Sequence, residues 1–320
     1  AGKTSLQGRL LDGRYHGLGI GCYIEGGASG PRENVRIGLE SDGRFAIYVG
    51  SSSVGQGLET VFAQIAADAL EMPMESIRGV FHGSTAYLHE GFGTYSSRSV
   101  VMGGSAIVAA AGTLRGRIRE TAAKRLGCEP DQVTVEPGMA IGPDGKQIAL
   151  GTLAEQGISA DGTYASHHRT YSYGAHAAHV AVDPKTGHVQ VLEYVAVEDV
   201  GRIINPATLH GQAVGAIVQG LGGVFLEHLI YDRQGQLLTG SLADYLMPTA
   251  GDFPVINAVA LEDKPAPHNP LGAKGAGEGG IIPVAGVIAN AVADALSSFK
   301  VQPRELPLSP PRVWALINSP

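Results

Sequence analysis

Three stretches rich in glycine and serine punctuate this chain, and each breaks directly into an apolar helical stripe. Gly50-Ser-Ser-Ser-Val-Gly-Gln-Gly57 precedes Leu58, Val61, Phe62, Ile65, Ala66 and Ala69, whose spacing sets them on one helix face. The stretch from Gly91 to Ser105 precedes Ile107, Val108, Ala111, Leu114 and Ile118. Leu271-Gly-Ala-Lys-Gly-Ala-Gly-Glu-Gly-Gly280 precedes Pro283, placed for a first helical turn, and then Val284, Val287, Ile288, Ala291, Val292 and Ala295. A loop of small residues ahead of a helix leaves backbone N–H groups free with the helix dipole behind them, which suits an anionic, phosphate-bearing ligand. Taken singly, each such loop also reads as an ordinary glycine turn.

Strand signals lie between these units. Val35–Leu39 and Phe45–Val49 flank the turn Ser41-Asp-Gly-Arg44, and His179–Val182 and His188–Val197 flank Asp183-Pro-Lys-Thr-Gly187. The second hairpin is followed by a short loop, Asp199-Val-Gly-Arg202, and a glycine-rich helix around Gln212–Phe225. That order echoes the first half and points to an internal duplication. In the helix, glycines 215, 220, 222 and 223 imply close backbone packing. Hairpins mixed with helices predict an α+β architecture, not a doubly wound parallel sheet. A chain of 320 residues holds two lobes, and the aperiodic segment Gly127–Tyr171 contains their boundary, giving lobes of 1–150 and 151–320.

Charge and composition narrow the function. The net charge of −7 with scattered Lys and Arg residues gives no footprint for nucleic acid or an anionic membrane. Arg115, Arg117 and Arg119 read as a solvated helix face. No stretch reads as long and apolar enough to cross a bilayer. The nearest, Ile281 to Leu296, is interrupted by Asn290 and Asp294 and reads as a buried helix, so no membrane insertion is expected. Cys22 and Cys128 are too few for an iron–sulfur or zinc site or a disulfide framework, and fit a reducing, cytoplasmic setting. The chain opens Ala-Gly-Lys-Thr without Met or a signal peptide's apolar core, and so reads as a trimmed or excised piece.

Candidate chemistry is sparse. His167, His168, His176 and His179 cluster, but in an extended segment His176 and His179 point to opposite faces, and no Asp or Glu lies among them; no metal ligand is assigned. There is no Gly-x-Ser-x-Gly elbow for a hydrolase, and Lys274 does not sit in a P-loop. Glu278, flanked by glycines, reads equally as a solvated loop residue or as an acid presented to a cavity.

Taken together, the motifs resemble those of the xanthine dehydrogenase and aldehyde oxidase group of molybdenum hydroxylases, which includes carbon monoxide dehydrogenase. In order, they are Gly17-Leu-Gly-Ile-Gly21, Gly55-Gln-Gly57 with Glu59-Thr60, and Gly93-Thr-Tyr-Ser-Ser-Arg-Ser99. Asp199-Val-Gly-Arg-Ile-Ile-Asn-Pro206, Gln219-Gly-Leu-Gly222 and Lys274-Gly-Ala-Gly-Glu278 follow. The resemblance implies the C-terminal half of the molybdenum-binding subunit, with a molybdenum–molybdopterin cofactor in its cytosine dinucleotide form. It implies that Gln56, between Gly55 and Gly57, contacts the metal centre or its pterin, and that Ser97, Arg98 and Ser99 hold the pterin and its phosphates. Glu278 corresponds to the catalytic base, on a loop shaped by Lys274, Gly275 and Gly277. In that family the glutamate takes a proton from a metal-bound hydroxyl as it attacks an electron-poor carbon of an aldehyde, N-heterocycle or similar small substrate, with oxygen from water.

The upstream half, with its own cofactor loop, has no counterpart here, and Ser96 stands where relatives often carry glycine. The resemblance therefore implies a hetero-oligomer completed by that half and by iron–sulfur and FAD subunits or domains. A non-catalytic cofactor-binding or storage module is the alternative, against which Glu278 argues, since binding needs backbone donors more than a carboxylate. An ordinary nucleotide-binding domain lacks its fingerprint here.

Overall fold

A computed structural model describes residues 5–318; the opening Ala1–Thr4 lies outside the described residues. A short strand β1 (Arg9–Leu11) turns into the long β2 (Arg14–Gly27), and the hairpin β3 (Arg32–Leu39) and β4 (Phe45–Val49) follows. The hairpin pairs Val35 with Val49 and Leu39 with Phe45, the register its alternation implies. Helix α1 (Leu58–Leu70) leads to β5 (Ile77–Phe81), and a π-helical turn at Ser99–Gly103 opens α2 (Gly104–Leu126). The stripes expected on both helices are buried in one core with Val35, Ile37 and Ile47, with Ala69 and Val108 partly so.

The aperiodic segment holds a three-stranded meander, β6 (Thr134–Glu136), β7 (Met139–Ile141) and β8 (Gln147–Ala149), then a one-turn α3 (Leu150–Ala154) and β9 (Ser159–Ala165). Next come β10 (Thr170–Val182), β11 (Val189–Asp199), α4 (Pro206–Phe225), β12 (Ile256–Leu261), α5 (Val284–Ala295) and α6 (Pro310–Asn318). Helix α4 begins well before Gln212 because Asn205 caps it, its side chain accepting from the Thr208 N–H at 3.0 Å, with Pro206 in the first turn.

The sheets do not divide at residue 150. One has the order β5-β4-β3-β9, the other β1-β2-β10-β11-β12. Strand β2 thus belongs with the second half and β9 with the first, and the chain passes between lobes at residues 28–31 and 166–169. Within this exchange the duplication is plain. In each sheet an antiparallel hairpin feeds a helix, then a strand parallel to the hairpin's second strand, β5 beside β4 and β12 beside β11. A further strand, β9 or β2, pairs antiparallel with the hairpin's first strand.

The helix covering each of these two strands comes unusually close. A Cβ on Gly19 of β2 would strike the Val287 carbonyl and lie 2.5 Å from the Ala291 nitrogen of α5. A Cβ on Gly162 of β9 would meet the Ala106 carbonyl and, at 2.5 Å, the Ala110 nitrogen of α2. Asn290 and Asp294, which interrupt the apolar run of α5, serve the free side of β2: Asp294 accepts from the Leu18 N–H at 2.9 Å and Asn290 donates to the Ile20 carbonyl at 3.0 Å. Of the α4 glycines, Gly220 meets Val284 and Gly222 meets Pro248, whereas Gly215 and Gly223 face open space and serve no packing here.

Contrary to the sequence reading, the span Ser99–Leu126 is long and apolar enough to cross a membrane by length and composition; more than half of its apolar window is buried inside the protein, against β3 and β9. Nor is the arginine face of α2 simply solvated. Arg115 pairs with Glu71 and Arg117 donates to the Ser159 carbonyl.

Replacing Gly19 with alanine should cost about 1–3 kcal/mol, because the helix must move off the strand. Gly215→Ala, in open space within α4, should stabilise by about 0.5–1 kcal/mol. Thermal denaturation of both variants checks the pair, and an unchanged midpoint for Gly19→Ala would contradict the close approach.

Candidate functional site

Four loops converge on a cleft of about 290 Å³ between the lobes. They are 50–57 ahead of α1, 91–99 ahead of α2, 199–205 ahead of α4, and 271–278 ahead of α5. Each repeat contributes two. The helix start after Arg98 carries no side-chain cap, and Ser99 and Val100 line the cleft there, so its N–H groups face the space a ligand would fill.

At the centre, Ser97 and Glu278 hold each other. Ser97 Oγ donates to Glu278 Oε2 at 2.9 Å and accepts from the Glu278 N–H at 3.0 Å. Oε1 of Glu278 has no protein hydrogen-bond partner among the described residues, and the side chain is exposed to the cleft. Of its two sequence readings, the geometry supports the acid presented to a cavity. Ser96 and Ser97 both adopt left-handed backbone, φ 48° and 49°, a conformation that costs a non-glycine residue about 1 kcal/mol or more. Gly275 has room for no side chain, since a Cβ there would strike the Ser97 carbonyl, while its N–H donates to Thr170 Oγ1 at 3.0 Å. Gly277 lies beside the Ser97 side chain.

Two of the expected ligand residues are turned away from the cleft and build it instead. The Arg98 guanidinium is wholly buried: it pairs with Glu33 at 2.6 Å and donates to the carbonyls of Ser29, Arg32 and Gly93, between the rings of Phe92 and Tyr95. Lys274 is likewise buried, its ammonium 2.6 Å from Asp199 Oδ1 and 4.4 Å from the centre of the Tyr173 ring. Burial pushes the Asp199 carboxyl up, but Lys274 and the N–H groups of Gly201 and Lys264 outweigh it and hold the group below the usual carboxylate range. These two ion pairs fix the loops ahead of α2 and α5.

Gln56 lines the cleft, but its amide is engaged with its own loop, accepting from the Val54 N–H at 2.7 Å and reaching the Ser52 carbonyl at 3.4 Å. Gly55 and Gly57 sit in left-handed turns behind it, and Gly57 packs on Thr208. Ser99 lines the cleft and donates to Thr94 Oγ1. The sequence reading missed Thr94, Arg202, Asn205, Thr208 and Gln212 as lining residues. The Asn205-Pro206 cap was the available signal, since it announces a helix start at the cleft.

The four clustered histidines separate. His176 hydrogen-bonds Tyr194 and Glu198, His179 meets His16, and His168 stacks on His268. Among the described residues no three His, Cys, Asp or Glu side chains come together as a metal site.

Residues 3–254 match the family model described as the molybdopterin cofactor-binding domain. The chain is 36% identical over 318 residues to the 6-hydroxypseudooxynicotine dehydrogenase complex subunit gamma of Paenarthrobacter nicotinovorans, covering 95% of this chain and 40% of that one. It is 30% identical to the carbon monoxide dehydrogenase large chain of Hydrogenophaga pseudoflava, covering 93% of this chain and 37% of that one. Among solved structures, quinoline 2-oxidoreductase from Pseudomonas putida 86 superposes with a TM-score of 0.85 at 32% identity, over 96% of this chain and 42% of that one. The chain thus spans about two-fifths of the length of these relatives. As its motifs imply, the chain belongs to the molybdopterin cofactor-binding domain family, and is similar over nearly its whole length to one part of the large subunits of molybdenum-dependent oxidoreductases.

Proposed function

We propose that this chain supplies one wall of the active site of a molybdenum hydroxylase, with Glu278 as the base that takes a proton from the reacting centre. The observation that carries this reading is Glu278 itself, a carboxylate with Oε2 tied to Ser97 and its side chain exposed to the cleft beside the uncapped helix start after Arg98. The lining fits a pterin with phosphates: the uncapped helix start after Arg98, whose Ser99 and Val100 face the cleft, and a Gly275–Gly277 segment with no side chain in the way. When bound, the molybdenum cofactor supplies the redox chemistry, with oxygen taken from water.

The chain's own residues do the rest. Ser97 orients the carboxylate, Arg98 and Lys274 anchor the loops, and Gly55, Gln56 and Gly57 form the opposite lip, where Gln56 must exchange its Val54 hydrogen bond for one to the cofactor. A carboxylate in reach of the reacting group accepts its proton at Oε1. The cytosine dinucleotide form of the pterin belongs to this proposal. So do an upstream half, iron–sulfur and FAD partners carrying electrons away, and a cytoplasmic setting consistent with two free thiols. The substrate is an aldehyde, an N-heterocycle or a similar small molecule, and the similarity to quinoline 2-oxidoreductase favours an N-heterocycle.

In the assembled enzyme, Glu278→Gln should retain molybdenum and pterin but lose turnover by about 100- to 10,000-fold. Metal analysis with steady-state kinetics tests this; near-normal turnover would remove Glu278 as the base. Changing Gln56 to alanine should alter the metal centre's spectrum and lower its occupancy, and an identical spectrum at full occupancy would place Gln56 outside the cofactor's contacts.

A further inference from the structure

The two sheets, alike in topology, differ on the faces their helices leave open. On the smaller sheet that face carries paired polar groups: Arg36 lies 2.7 Å from Asp161, and Thr163 Oγ1 donates to Asn34 Oδ1 at 2.8 Å. On the larger sheet the face opposite α5 is apolar. Ile24 of β2 stands beside Tyr173 of β10, and in the next row Cys22, Ala175, Val197 and Val259 run side by side across four strands. All six are exposed, Ile24 to 67%, as is Tyr171 near the start of β10. A sheet face left to water carries polar side chains, as the smaller sheet's does, whereas a contiguous exposed apolar patch marks an interaction surface.

This face runs up to the cleft. The Tyr173 ring lies 4.4 Å from the ammonium of Lys274, on the loop that presents Glu278, and Thr170, next to Tyr171, accepts the Gly275 N–H. At the same end a second cavity, of about 590 Å³, opens beside Tyr171. Arg169, Lys264 and three histidines line it, and among the described residues no carboxylate does. Lys274 reaches it too, but its charge is answered by Asp199. On a chain of net charge −7 this is a local excess of cations, set at the rim of the apolar face.

We propose that this face seats the rest of the large subunit, through an apolar surface that packs on Ile24, Tyr173 and Val197 and sets carboxylates against Arg169 and Lys264. Two observations choose that occupant over a second copy of this chain. The relatives that match nearly the whole of this chain are polypeptides of which it spans about two-fifths, so each carries further chain that must dock somewhere. The apolar face is also continuous with the cleft, whose opposite wall that further chain would form. An apolar centre with a charged rim is the anatomy of a stable interface. The inference rests on the reading of this chain as one part of a molybdenum hydroxylase, and not on the role given to Glu278.

Cys22, in the exposed row, is a built-in probe of the assembled enzyme. Treated with a maleimide in its native state and read by peptide mass spectrometry, Cys22 should be modified at least about 100-fold more slowly than in urea. Ile24→Asp puts an unpaired charge into the contact and should restore the labelling, whereas Thr163→Asp, on the polar face of the smaller sheet, should not. Carbodiimide coupling of the parent enzyme should join Lys264 to Asp or Glu side chains of the upstream part of the large subunit. Cys22 labelled natively as fast as in urea, or still protected in Ile24→Asp, overturns the inference. So does Lys264 joined to a second copy of this chain or to another subunit, a measurement that serves even if Ile24→Asp does not fold. None of these readouts needs turnover: their failure leaves Glu278 as the base, and near-normal turnover in Glu278→Gln removes the base while the docking face stands.

Discussion

Backbone-to-backbone contact between a helix and the strand beneath it sets the geometry on which the rest depends. At Gly19 the α5 carbonyl of Val287 occupies the space a side chain would need, and at Gly162 the α2 carbonyl of Ala106 does the same. Dispersion falls off steeply with distance, so a helix seated this close is fixed in height and direction as few side-chain contacts fix it. The loops that open α2 and α5 inherit that placement. Their meeting at Ser97 and Glu278 follows from where the helices can lie.

Electrostatics then locks the loops. Arg98 and Lys274 are both buried, and both have their charge answered by one carboxylate, Glu33 or Asp199, at 2.6 Å. Desolvating such pairs is expensive, and their net contribution to stability is small or negative compared with apolar replacements. What they provide is specificity of position. Arg98 satisfies three backbone carbonyls that the irregular segments at 29–32 and 93 would otherwise leave bare. A carboxylate acting as proposed for Glu278 needs its loop fixed to a fraction of an ångström, and rigid supports supply that.

Much of this was legible in the sequence, where information is local. The two hairpins, the apolar stripes of α1, α2 and α5, and the glycine loops before them are periodicities within a dozen residues. The α+β class follows from them. Strand β2 was not read, because Gly17-Leu-Gly-Ile-Gly21 has poor strand propensity and its glycines answer to a helix some 270 residues further on. The lobe boundary failed for the same reason, since β9 reads as part of an aperiodic stretch and its partner β3 is about 125 residues away. At the site, the motifs carrying Ser97 and Glu278 meet in one cleft, but neither loop announces that the two side chains hydrogen-bond each other. The roles of Arg98 and Lys274 were hidden, because their partners Glu33 and Asp199 lie 65 and 75 residues distant and nothing near either residue announces a buried pair.

The two loops that clasp each other at the centre occupy the same place in the two repeats: 91–98 runs into the helix that covers β9, and 271–278 into the helix that covers β2. Ser97 and Glu278, 181 residues apart in the chain, thus join structurally equivalent loops of the two units. The contact is asymmetric, a hydroxyl on one side and an acid on the other. Because each side chain meets the other directly, a change in either loop alters the surroundings of its counterpart, and the two are expected to tolerate substitution together more readily than singly.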